Sequence, residues 1–207
     1  MATTNVTVAN QALRLLRATP VVTTFSDGST AGNILLDMYE DHIKALFSMY
    51  PWTFATKKAL LVADATSPVN EYKYSHEIPA EAMLVWAVFN SSSVGAQPVV
   101  DYDMYGSETE RFIFSNHVTL YADYTIDRAE AVWPYYFVQF AVHSLAAHIA
   151  MPVTGNVELA DYWYRKAYGS ANANGKGGFY GIATSTDSKQ KRNEYIISSP
   201  ITEARFS

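Results

Sequence analysis

Two acidic pairs, Asp101/Asp103 and Glu108/Glu110, and two histidines five residues apart, His143 and His148, have the types and spacing that could do chemistry. Paired carboxylates at a set separation serve glycoside hydrolysis, one as acid and the other as base or nucleophile. Here they flank Gly106 in a region of modest strands, where carboxylates stay solvated unless a sugar-lined cleft surrounds them. They define one reading, a hydrolase of cell-surface or cell-wall polysaccharide. Another is a carbohydrate-binding β module with Tyr72, Tyr74 or Tyr105 as stacking platforms. His143 and His148 fall about 140° apart around a helix, so they do not converge on one metal as an i, i+4 pair would. Partly buried rings bonded to a carbonyl or water are expected instead. His76 and His117 lie in or beside strands, with no partner visible in the sequence.

Other chemistries lack their residues. The 207-residue chain has no cysteine, which removes disulfides, thiolate nucleophiles and cysteine-ligated metal. No Gly-x-Ser-x-Gly elbow occurs, and no glycine-rich phosphate loop joins a strand to a helix. Gly175 to Gly178 lies in a stretch read as linker. No cofactor, no metal and no enzymatic activity are expected. Fifteen basic against twenty acidic residues leave −5, which argues against wrapping nucleic acid. Met1 to Val8 lack the cationic start and apolar run of a secretory leader. With 49% hydrophobic residues the chain can fill a core, while 17% charge is low and fifteen tyrosines are many. Surplus aromatic surface is often interface surface, so self-association is expected.

The elements that would position these residues change period twice. Residues 5–18 read as a helix with Val8, Ala12, Leu15 and Leu16 on one face, ended by Pro20. Asp27 and Gly28 mark a turn. A second helix spans about 30–49, with Ala31, Ile34, Leu35, Met38, Ile43, Leu46 and Phe47 inward and Asp37, Asp41, Lys44 and Ser48 outward. From Glu71 to Ile78 the alternation is strict, and Met83 to Phe89 is continuously apolar, as in a strand covered on both sides. Residues 110–126 read as a hairpin turning at Ser115 and Asn116, and shorter strands are expected near 55–62 and 98–104. From Ala131 to Val157 there is not one charged residue. About 20 apolar residues can span a bilayer. Pro134, Gln139, His143, Ser144 and His148, with no flanking basic cluster, favour a buried central helix. Met151 to Gly155 breaks the chain before a last helix from about Asn156 to Ala171.

After Gly169 the composition turns to Asn, Gly and Ala. Residues 170–207 hold five basic and three acidic side chains, +2 against −7 for residues 1–169. Such a stretch is expected to stay disordered until it meets a partner.

Four segments, in order, resemble the head-to-tail adaptor family of tailed bacteriophages, the tail tubular protein A family. They are Asn10 to Leu16 with Pro20; Tyr50 to Ala55; Ile78 and Pro79 leading into Leu84 and Val85; and Leu145 to Gly155. Each is a packing or turn motif, and together they span residues 5–168. The resemblance implies an α+β fold: an antiparallel bundle of about four helices (residues 1–54 and 127–170), an inserted antiparallel β-sheet, sandwich or small barrel (55–126), and a flexible C-terminal docking tail (171–207). It implies a structural virion protein in the neck between portal and tail, assembled in the host cytoplasm as a homo-oligomeric ring of about a dozen subunits. Its partners would be the portal protein above and nozzle, terminator or fibre proteins below. DNA would pass through the lumen without sequence-specific binding, and no membrane is involved. In that setting Lys176, Lys189, Lys191, Arg192, Tyr195, Ile196 and Phe206 are expected to dock on the portal. Trp52, Phe54, Trp133, Tyr136 and Phe140 are expected to pack subunit against subunit.

Overall fold

A computed structural model describes residues 3–19, 21–64, 68, 70–93, 96–106 and 110–190. Helix α1 (Asn5–Leu15) starts where Thr4 accepts a hydrogen bond from the Thr7 amide at 3.1 Å. It stops earlier than expected, and for a different reason. Arg17 turns left-handed (φ 57°), and the Ala18 amide reaches back to the Leu13 carbonyl, closing the helix before Pro20. The Asn10 side chain then clamps the returning chain, donating to the Val22 carbonyl at 2.8 Å and accepting from its amide at 2.9 Å. Ser29 caps α2 (Thr30–Ser48), which buries Leu35, Ile43, Leu46 and Phe47 as expected, and also Tyr39 and His42. Its outward Lys44 pairs with Glu40.

After a 3-10 turn at Thr53–Ala55 come β1 (Thr56–Val62), β2 (Tyr74–Glu77), β3 (Ala82–Phe89), β4 (Tyr102–Gly106), β5 (Arg111–Ser115) and β6 (Thr119–Ile126). They form two antiparallel three-stranded sheets, ordered β1-β6-β3 and β2-β5-β4. Residues 110–126 are therefore not a hairpin. Strand β5 lies between β2 and β4, and β6 lies between β1 and β3, so the chain changes sheet at Asn116–Val118. His76, fully buried, sits under that crossing, with its ring nitrogens 3.4 Å from the Ile113 carbonyl and 3.2 Å from that of Val118. Leu61, Ile78, Val88, Ile113, Leu120, Ala122 and Tyr124 fill the core between these strands.

Helix α3 (Tyr135–Thr154) follows Pro134, whose carbonyl takes the first helical amides. Pro152 does not break it. The ring sits in the last turn, so it removes the one bond to the His148 carbonyl with little helix left to follow, and Gly155 closes the helix at φ 66°. By length and composition α3 could cross a membrane, yet more than half of that apolar stretch is buried inside the fold. It packs against α1, α2, α4 (Val157–Tyr168) and α5 (Gly178–Ser188). Asn156 caps α4, with Glu158 in the first turn and Arg165 and Lys166 in the last, as the helix dipole favours.

Helix α5 corrects the expectation of a flexible segment from residue 171 onward. Tyr180, Ala183 and Asp187 make a buried stripe, and the glycines before it allow contact that a side chain would forbid. A Cβ at Gly178 would stand 2.3 Å from the Lys166 carbonyl, and one at Gly169 would stand 2.7 Å from the Gly177 backbone. The fold is thus α+β, with five helices and two small antiparallel sheets among the described residues.

Candidate functional site

The aromatic residues expected between subunits lie inside the chain. Trp52, Trp133 and Phe140 are buried, and Phe54 and Tyr136 are half-buried. Trp52 donates to the Leu46 carbonyl at 3.0 Å and meets Phe137 edge-on at 5.0 Å, while Phe54 and Trp133 meet the same Phe137 ring, each at 5.0 Å. The physical reason is the sharp turn after α2. It carries Trp52 and Phe54 back over α2 and α3, where rings of this size are worth most as core. Tyr136 instead donates to Asp187 at 2.6 Å.

Of the acidic residues, Asp101 and Asp103 both act on the Tyr72 phenol. Asp103, within β4, accepts from the Tyr72 hydroxyl at 3.0 Å, and desolvation, followed by that hydrogen bond, pushes the phenol up to about 12. Asp101 precedes β4 on the surface, Glu110 is exposed just before β5, and Glu108 lies outside the described residues. Of the tyrosines read as stacking platforms, Tyr105 is exposed and rests edge-on against Phe114 at 5.2 Å, whereas Tyr74 is half-buried in β2. Among the described residues no three His, Cys, Asp or Glu gather in a way that could hold a metal ion.

The polar cluster that does assemble was not expected. Helix α2 supplies His42, α3 supplies Ser144 and His148, and α4 supplies Tyr168. His42 Nε2 lies 2.6 Å from Ser144 Oγ, which lies 3.0 Å from the Tyr168 hydroxyl. The His42 and His148 rings stack with centroids 4.6 Å apart. Burial, helped by His148, pushes His42 down to about 3, and burial also lowers His148. Both rings are therefore neutral near pH 7. A cavity of about 560 Å³ opens beside them, walled also by Met49, Tyr164, Tyr180 and the 174–176 turn.

Chemically, the Ser144–His42 contact has the reach of a nucleophile–base pair but not its surroundings. Ser144 is fully buried in mid-helix, and the neighbour of His42 is a second imidazole rather than an orienting carboxylate. What remains is a hydrogen-bond chain with one end at a cavity. No protein-family model matches the chain, and no curated protein matches it either.

His143, the other histidine of α3, is bonded to the Gln139 carbonyl at 2.7 Å and stacked on Phe179 at 3.7 Å, in keeping with the partly buried ring expected of it. Lys176 lines the cavity instead of a free tail, and Lys189 is exposed after α5. Lys191, Arg192, Tyr195, Ile196 and Phe206 lie outside the described residues. In the sequence His42 belongs to no set of metal or catalytic ligands. The available signal was its position, three residues after Tyr39 and four before Leu46, on the apolar stripe of α2.

Proposed function

We propose that the chain is a structural adaptor in the neck of a tailed-phage virion, one subunit of a ring between portal and tail that extends the DNA channel. Its fold in this reading is a helical bundle built on α1 to α4, into which residues 55–126 are inserted as a β-sandwich. Docking on the portal then falls to the chain beyond α5. The observation that carries the reading is the ordered set of four segments, each of which does structural work here. Asn10 clamps Val22, Trp52 sits at the centre of the aromatic core, Ile78 belongs to the core between the strands, and Leu145, Ile149 and Gly155 form and close the central helix.

Exposed apolar side chains lend further support. Tyr135 is 77% exposed at the start of α3, Val157 is 65% exposed at the start of α4, and Tyr162 and Tyr164 are exposed along it. Leu60 and Val62 are exposed on β1. A ring needs two different faces per subunit that meet head to tail, and apolar patches of this kind supply such faces. Sedimentation and electron microscopy of the concentrated protein, together with cryo-microscopy of the particle, test the proposal. A ring at the neck between portal and tail is expected. A neck built without this chain overturns the reading.

A further inference from the structure

The cavity beside His42 is lined by His42, Ser144, His148, Tyr168 and Lys176, and among the described residues no carboxylate lines it. In a chain of net charge −5 this concavity brings the Lys176 ammonium and the protonatable His148 together with hydroxyls that can donate. Its hydrogen bonds also have a direction left to choose. When His42 carries its proton on Nε2, it donates to Ser144, Ser144 donates to Tyr168, and the phenol proton is left over for an acceptor. His148 and Lys176 stand exposed at the same opening. A proton added to His148 finds no carboxylate among the described lining residues, and an anion is the complement that fits.

We propose that this cavity is a binding site for a polyvalent oxyanion of the phosphate class, held at its mouth by Lys176 and His148 and from within by the Tyr168 hydroxyl. Several donors arriving from α3, α4 and the 174–176 turn match a tetrahedral dianion with acceptors on all sides better than a flat monovalent carboxylate. The volume admits more than one phosphoryl group, so a free phosphate or the phosphoryl end of a small ester can enter. The titratable groups facing His148 are His42 from α2, Tyr164 and Tyr168 from α4, Lys176 from the turn and Tyr180 from α5. None supplies negative charge near neutral pH. Anion binding and protonation of His148 are therefore linked, and binding of sulfate, which stays a dianion throughout, tightens as the solution is acidified from pH 8 to pH 6, whereas phosphate takes up a proton of its own over that range.

The inference rests on the cavity of a single chain and is independent of the adaptor reading. Its test is a titration of the full chain with inorganic phosphate, followed by NMR of the His148 ring. Expected are a saturable shift of the His148 signals, a raised His148 pKa in the bound state, and a higher Tm with phosphate. Lys176→Met, at the exposed mouth, should weaken phosphate binding about tenfold, or about 1.4 kcal/mol, while leaving the Tm without phosphate unchanged, and His148→Asn should weaken binding to the same extent with a lowered Tm from the lost stacking on His42. Tyr168→Phe should weaken it as well. Sulfate should compete and acetate should not, while pyrophosphate binding more tightly than phosphate would identify a phosphoryl ester as the fitting ligand. Equal binding of acetate, or a phosphate response that persists in both mouth variants, overturns the proposal. So does a His148 signal that stays unmoved by phosphate.

Discussion

Asp187 and His42 both lie on the inward side of a helix that packs against α3, and both are almost wholly shielded from solvent, but their surroundings are of opposite kinds. Asp187 is saturated. Its carboxylate accepts from the Thr53 amide at 3.1 Å, the Thr53 hydroxyl at 2.8 Å and the Tyr136 hydroxyl at 2.6 Å, joining α5 to the corner after α2 and the start of α3. His42 is not saturated. Its chain through Ser144 to Tyr168 ends on a cavity, and its stacked neighbour His148 reaches the surface. A buried polar group whose partners all come from the chain fixes geometry, whereas one whose partners run out at a concavity leaves room for a ligand or a proton.

The most damaging way to break this contrast is Asp187→Ala. It would strand three donors in the core and release α5 from the rest of the fold. A loss of about 3–5 kcal/mol is expected in urea unfolding, with α5 exchanging its amide hydrogens first. Asp187→Asn, which keeps one acceptor, should lose less. A cost under about 1 kcal/mol for the alanine variant would mean that α5 is held by the packing of Tyr180, Ala183 and its glycines rather than by Asp187.

Acidification should come next. Unfolded His42 takes up its proton near the ordinary value of 6.5, and folded His42 only near about 3. Between those values the unfolded state binds more protons, so stability is full above about pH 6.5 and falls as pH drops toward 3. By about pH 4.5 the loss from His42 should reach about 2–3 kcal/mol. The lowered His143 and His148 add to it in the same direction. His42→Gln should flatten that part of the stability profile. An unchanged slope in this variant would show that His42 is not the group being titrated.

The contrast between the clusters also separates what the sequence made legible from what it hid. Periodicity marks α1, α2 and the strands within 71–78 and 110–126, because a face that meets a core must repeat with the element's own period, while the buried α3 shows as an uncharged run and β3 as a continuously apolar one. Partners were harder. Alternation in 110–126 marks two strands but not what each pairs with, and Phe112 and Phe114 found β2 and β4 rather than β6. Composition misled at α5. Asn and Gly in 172–178 look like linker, yet Gly169, Gly177 and Gly178 serve close packing, and the Tyr180, Ala183 and Asp187 stripe holds an acid where an apolar residue is the usual sign. The aromatic surplus was counted correctly and placed wrongly. Trp52, Trp133 and Phe140 pack on the chain's own core, and the exposed aromatics among the described residues are tyrosines, Tyr105 of β4 and Tyr135, Tyr162 and Tyr164 of α3 and α4.

Ser144→Ala is the finest probe of the contrast, and its expected effect is the smallest. Removing the hydroxyl separates His42 from Tyr168 without opening much space, since only one oxygen leaves. In a saturated cluster the stranded groups would bear a full desolvation cost. Here both border the cavity, so water entering it can take over each lost hydrogen bond. The expected cost is therefore about 1 kcal/mol in urea unfolding, below the roughly 1–3 kcal/mol of a buried polar group left unpaired. His42 should also titrate higher than in the parent chain, because entering water relieves the burial that lowers it. A cost of about 3 kcal/mol with the His42 pKa unmoved would mean that the cluster is as closed as the one around Asp187.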